Sequence, residues 1–180
     1  GGAPNGGALT FGKGGKYGAV CRPTIDAIST YFQKDTAAVW PTPAEGTALD
    51  LNALPAGGRY KVIFPSGGRV TGQSRATVTL YAANGTITVD GPPNSTVGSN
   101  MGQAAARDKL PVVGMIARDI KINPNVTTVN AVMYATYDFD TCAVSNWTTQ
   151  CKSLLTIKGF AMARTFSFKR VSASANGLQK

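Results

Sequence analysis

Apolar and polar residues alternate along most of the chain after residue 59, the period of a strand that turns every second side chain into a core. Three stretches carry nearly the same pattern. Residues 114–122 read GMIARDIKI, residues 131–139 read AVMYATYDF, and residues 159–168 read GFAMARTFSF. Aligned on Ala117, Ala135 and Ala163, Ile120 and Ile122 match Phe166 and Phe168. These pairs are two residues apart, so each pair falls on one strand face. The middle copy fits less well, because its Phe139 comes one place late and Tyr137 sits off register. A weaker echo is YAANGTITV at 81–89, with Ile87 and Val89 following Ala83. Near-identical strands in succession predict an all-β domain of stacked, solenoid-like rungs, with an ordinary β-sandwich as the alternative.

Other segments fill in the expected order of elements. RYKVIFP (59–65) alternates with Tyr60, Val62 and Phe64 on one side, and GGRVTG (67–72) reads as a turn with a short strand. Residues 74–93 hold two strand patterns around Asn84-Gly85, a strong hairpin signal that would make this part of the sheet antiparallel. The one helix signal is CRPTIDAISTYFQKD at 21–35, where Thr24 can cap, Asp26 sits in the first turn, and Ile25, Ile28 and Phe32 line one face. Such a short helix is expected to cover an end or edge of the sheet. Proline-rich residues 40–58 and polar residues 91–109 read as loops. The expected organisation is a glycine-rich arm over 1–20, a single β-rich domain over 21–171 and a flexible tail over 172–180.

Composition sharpens this picture. The chain has 180 residues, 21 of them Gly and 10 Pro, with 15% charged residues and a single glutamate, Glu45. That suits a turn-rich β protein and leaves too few Glu, Lys and Arg residues for exposed helical stripes. No run of 18 apolar residues occurs, so no membrane span is expected. No signal peptide is visible at GGAPNGGAL, which is expected to be a mature or trimmed start. The net charge of +9 either serves solubility or favours an acidic partner such as nucleic acid, an anionic glycan or a cell surface. From Thr141 to Lys180 there are six basic residues and no acid. Lys152, Lys158, Arg164, Lys169 and Arg170, spread along the predicted strands, are the candidate face for such a partner.

Of the three cysteines, Cys142 and Cys151 flank the octet AVSNWTTQ, a length that suits a clipped loop between strands. A bridge there would stabilise by roughly 2–3 kcal/mol on the loop-entropy model, and it points to an oxidising, extracytoplasmic compartment. Cys21 is then buried, free, or bonded to another chain. With no histidine in the chain, neither a Ser–His–Asp nor a Cys–His site can form, and zinc is not expected. The paired acids available to a two-carboxylate hydrolase are Asp108 with Asp119, or Asp138 with Asp140. Asp138 and Asp140 share one strand face and read either as a cation or sugar site or as a solvated strand end. Asp108 and Asp119 with Arg107, Arg118 and Lys121 would be a polysaccharide-lyase-like cluster, although their spacing is not diagnostic. The GKGGK run at 12–16 lacks the spacing of a phosphate loop. Glycosylation sequons stand at Asn84, Asn94, Asn125 and Asn146, all ordinary turn positions as well. For nucleic acid, the best aromatic–basic patches are Tyr60-Lys61 and Phe166 to Arg170, though Phe166 and Phe168 are expected in the core.

The C-terminal half has a distinctive order of motifs. VVGMIARDIKINPNVTTVNAVMYA (112–135) is followed by DTC (140–142), a loop closing on Cys151, and LLTIKGFAMARTFSFKR (154–170). Over residues 59–170 this order resembles secreted, pilus- or surface-associated proteins of small-genome candidate-phylum bacteria. The resemblance implies an extracellular location and an architecture, says very little of mechanism, and carries over no catalytic residue; no enzyme activity and no cofactor are expected. The expected role is a structural or adhesive subunit of a cell surface or pilus-like appendage that associates with itself or with other such subunits. A carbohydrate-binding or lyase-like β-helix and an extracellular DNA-binding appendage protein are the alternatives.

Overall fold

A strand whose every second residue is apolar must lay that face on other apolar atoms. In this chain the strands do so in two parallel sheets. A computed structural model describes residues 9–11, 15–17, 30, 34–100, 102 and 110–170. The chain divides into two units, residues 1–35 and 36–180. In the first, β1 (Leu9–Phe11) pairs antiparallel with β2 (Gly15–Tyr17), Leu9 opposite Tyr17. The helix expected over 21–35 lies outside the described residues apart from Thr30, Lys34 and Asp35, as do Cys21, residues 1–8, 12–14 and 18–20 of the expected arm, Val171 and the tail expected over 172–180.

The second unit opens with β3 (Ala38–Val39) and β4 (Ala48–Asp50), the latter running into a single 3-10 turn at Leu51–Ala53. Then come β5 (Arg59–Ile63), β6 (Gly67–Thr71), β7 (Gln73–Ser74), β8 (Thr77–Val89), β9 (Ser95–Ser99), β10 (Val113–Ile122), β11 (Val126–Asn130) and β12 (Val132–Asp140). A four-residue helix, α1 (Trp147–Gln150), precedes β13 (Thr156–Ile157), β14 (Phe160–Met162) and β15 (Thr165–Ser167). Among the described residues one sheet has nine strands in the order β14-β12-β10-β8-β5-β3, with β15 beside β12 and β6 between β4 and β8; the other has four, in the order β13-β11-β9-β7. Every pairing in these two sheets is parallel. Parallel neighbours need a crossover connection. Here the chain crosses by way of the smaller sheet: β9 separates β8 from β10, β11 separates β10 from β12, and β13 separates β12 from β14.

The core is a set of in-register ladders. Val62, Leu80, Met115 and Met133 lie opposite one another in successive strands and are fully buried, with half-buried Ala161 as the last step. A second ladder runs Ile87–Ile120–Phe139 and ends on Phe166. In the smaller sheet Val97, Val129 and Ile157 line up likewise. Each such aliphatic or aromatic side chain taken out of water contributes about 1.5–3 kcal/mol before the chain-ordering cost.

The repeated alanines are partly in register. Ala117 pairs with Ala135 as the pattern predicts, and Ala82, not Ala83, continues the row. Ala163 is buried but falls between β14 and β15. Phe139 belongs to the same ladder as Ile120 because β10 and β12 shift register between Ala117 and Asp119: two steps on β10 face three on β12. That bulge absorbs the residue that makes Phe139 late.

Two further expectations are corrected. The Asn84-Gly85 hairpin does not form, and β8 continues through it with a bulge, two steps on β10 from Ala117 to Asp119 facing four on β8 from Ala82 to Thr86. A Cβ on Gly85 would lie 2.4 Å from the backbone nitrogen of Gly67, so this glycine serves the close approach of β6 to β8 and not a turn. Residues 40–58 and 91–109 are not loops throughout, since they contain β4 and the 3-10 turn with Leu49, Leu51 and Leu54 buried, and β9. Their apolar residues are too few and too widely spaced for a strand signal, and parallel partners supply the missing order.

Candidate functional site

The candidate chemistry gathers at the C-terminal end of the larger sheet. β12 carries Asp138 and Asp140 two residues apart, so both project from the same face. β15 lies beside it with Asp140 opposite Ser167, which brings the residues after β15 past the end of β12. Asp140 is buried; its Oδ1 accepts from the Cys142 N–H (2.9 Å) and its Oδ2 from Lys169 Nζ (2.6 Å). Asp138 Oδ1 accepts from Ser167 Oγ at 3.1 Å, and the Asp138 N–H donates to Asp119 Oδ1 at 3.2 Å. Thr141 continues the pairing: its N–H and Oγ1 both donate to the Ser167 carbonyl, and Oγ1 accepts from the Lys169 N–H. The two aspartates are therefore used in joining β12 to the segment after β15, and neither is a solvated strand end.

Arg170 completes the join. Its guanidinium donates to four backbone carbonyls: Nε to Thr141 (2.8 Å), Nη1 to Pro124 (2.7 Å), and Nη2 to Asn123 and Val126 (2.9 Å each). The Asn123-Pro124-Asn125 turn, closed by the Val126 N–H on the Asn123 carbonyl, points these acceptors to one spot. A planar fork of donors matches such a cluster, where an ammonium would not. Burial pushes the Arg170 guanidinium down from its ordinary value, and nearby Asp140 pulls it back up.

Cys142 and Cys151 are bonded, both fully buried, with Cα atoms 6.2 Å apart. The loop they close contains α1, whose end is capped by the Cys151 N–H on the Trp147 carbonyl at 2.9 Å. Four residues give no periodic signal, and this helix was not legible in the sequence.

Of the five basic residues expected to share a face, Lys152, Lys158 and Arg164 are exposed, whereas Lys169 and Arg170 are half-buried in the contacts above. Phe166 and Phe168 are not core: they are 38% and 78% exposed, with rings stacked at 5.6 Å and 7°. Phe166 points along the inner ladder and touches Phe139 at 5.5 Å, but no further strand is paired on its other side among the described residues.

A second cluster sits on the bulge. Arg118 and Tyr137 are two of the three residues that the register shift leaves over, with Thr136, and Arg164 stands between β14 and β15. The two guanidinium carbons lie 5.6 and 5.9 Å from the Tyr137 ring centroid, a cation–π pair on one exposed ring. Tyr137's apparent misregister was the signal for this cluster. Tyr60, of the other patch, packs edge-on against Trp40 at 5.3 Å. Arg107 and Asp108 lie outside the described residues. A cleft of about 510 Å³ near the other end includes Glu45, Gly67 and Arg69, with buried Phe64 behind it, and Arg69 is engaged with Asp90. Among the described residues no three His, Cys, Asp or Glu side chains cluster as a metal site, and no helix is long and apolar enough to cross a membrane.

No family model, curated protein or solved structure matches the chain.

Proposed function

We propose that the protein is an extracellular structural or adhesive subunit of a cell surface or pilus-like appendage, non-catalytic, whose body is a β-solenoid of stacked rungs. The observation that carries this reading is the ladder Val62–Leu80–Met115–Met133–Ala161, which threads five parallel strands in register. Each turn of chain adds one step to a continuous core, and neighbour-only contacts of that kind give a stiff rod with two ends. The Cys142–Cys151 bond supports an oxidising location. The test is negative-stain microscopy of purified, oxidised protein: rods or filaments are expected, and dispersed compact particles at every concentration would sink the assembly part of the reading.

The Arg118–Tyr137–Arg164 cluster favours a second role on the same body, contact with an anionic glycan or DNA. Its test is retention on anionic resin and on duplex DNA across a salt series, since phosphate contacts predict a steep loss with salt. A carbohydrate-cleaving reading has less support, because the cleft near Glu45 presents no exposed aromatic ring and its arginine is already paired.

A further inference from the structure

The register shift that runs through the larger sheet marks one edge of the stack, and that edge carries a line of polar side chains. Ala82, Ala117 and Ala135 are the last residues paired on one side of it. Thr86, Asp119, Asp138 and Thr165 are the first on the other. Between them stand Asn84 on β8, Arg118 on β10, Tyr137 on β12 and Arg164 after β14. Ser66, between β5 and β6, opens the line. All five side chains are exposed. Neighbouring strands lie about 4.8 Å apart, so the five positions span roughly 19 Å along the stack.

The positive charge on this line is sparse and held in place. The two guanidinium carbons lie 5.6 and 5.9 Å from the Tyr137 ring centroid. The ring limits the side-chain freedom that each arginine loses on meeting an anion, and a guanidinium offers a carboxylate a matching fork of donors. The next row carries Asp119 and Asp138, and Arg118 Nε lies 3.8 Å from Asp119 Oδ2. Which polyanion fits follows from these neighbours. Duplex DNA presents one negative charge per about 1.7 Å of axis, a density that two cations do not match and two adjoining carboxylates oppose. A single nucleic-acid strand needs an open aromatic face for its bases, and Tyr137 already holds two guanidinium groups against its ring. A polysaccharide with carboxylates on some of its sugars can meet both arginines, while its hydroxyls find the Asn84 amide, the Ser66 hydroxyl and the aspartates.

Resting on the reading of an anionic partner above, we infer that this edge binds an extended acidic glycan, its carboxylates on Arg118 and Arg164 and its chain lying along the line from Ser66 to Arg164. Tyr137 is a positioning residue that holds both guanidinium groups ready.

The experiment is titration calorimetry of the full oxidised chain with a hyaluronan decasaccharide, in which every second sugar carries a carboxylate. Neutral cellohexaose and a short DNA duplex are the comparisons, each over a salt series. The unaltered protein should bind hyaluronan, lose affinity as salt rises, and bind cellohexaose about tenfold or more weakly. Arg118→Gln and Arg164→Gln should each weaken hyaluronan binding by about tenfold and flatten its salt dependence, because each removes one anion contact. Tyr137→Ala should weaken it by about threefold with the salt dependence unchanged, since both cations remain, and Tyr137→Phe should bind as the unaltered chain does. These side chains are exposed, and unchanged circular dichroism shows that each variant folds. If hyaluronan binds no better than cellohexaose, or if the arginine variants bind it as well as the unaltered chain does, the glycan site is overturned. If the duplex binds more tightly than hyaluronan and loses affinity in the same variants, the glycan is overturned while the reading of an anionic partner stands. If neither hyaluronan nor DNA binds, both fall.

Discussion

The middle of the body and its C-terminal end are built from nearly the same sequence pattern and are held by different forces. In β8, β10 and β12 an inward residue has a ladder neighbour on both sides, and Ile87, Ile120 and Phe139 are fully buried. In β15 the corresponding Phe166 has one on a single side among the described residues and stays partly exposed. Apolar burial therefore does less for the last strands. Directed bonds replace it: the Asp140–Lys169 pair, the Arg170 fork and the Cys142–Cys151 bridge. A repeating core needs partners on both sides of every strand, and the last strand has to be tied down by other means.

The comparison can be broken first in the middle. Phe139→Ala removes a fully buried ring from the ladder and should cost about 3–5 kcal/mol of unfolding free energy in urea titration, with loss of the single cooperative transition. Phe166→Ala, one strand later, should cost clearly less, and equal losses would contradict the distinction. At the end, Cys142→Ser with Cys151→Ser should cost about 2–3 kcal/mol by the loop-entropy relation, read as the same titration with and without reductant. Arg170→Ala takes its donors from four partly or fully buried carbonyls and should cost about 1–3 kcal/mol. Its signature is early proteolysis between residues 141 and 170 while β8 and β10 remain protected, and Arg170→Lys should rescue it only in part because an ammonium cannot reach all four acceptors. Smallest of all, Tyr137→Ala should shift stability by no more than about 1 kcal/mol, since its ring and both arginines are solvent-facing. Its larger effect should be on salt-sensitive retention by anionic matrices.

Much of this was readable from residue order, and the failures have physical causes. Alternation located β5, β8, β10 and β12, and the spacing of Cys142 and Cys151 marked the closed loop. Asn84-Gly85 misled because a glycine pair signal is the same whether the chain turns or a neighbouring backbone comes close, and only the position of Gly67 tells them apart. Phe166 and Phe168 misled because inward periodicity says which way a ring points and not whether another strand follows to cover it. Lys169 and Arg170 looked like solvent-facing charge because their acceptors are 29 to 47 residues away. Aligning Phe139 with Phe166 in place of Ala135 with Ala163 would have set Ser167 opposite Asp140 and Lys169 just beyond it, which was the available clue.

What the amino-acid order determined by itself is local: where the alternating strands β5, β8, β10 and β12 run, which side of each is apolar, and which two sulfurs close a loop. Those follow from backbone geometry and the two-residue period, which need no partner. Only the tertiary structure decided that the strands pair in parallel, that a bulge brings Phe139 onto the ladder of Ile120, and that Arg170 closes on the Asn123–Val126 turn. Those depend on which strand lies beside which, a choice made by packing between segments far apart in the chain.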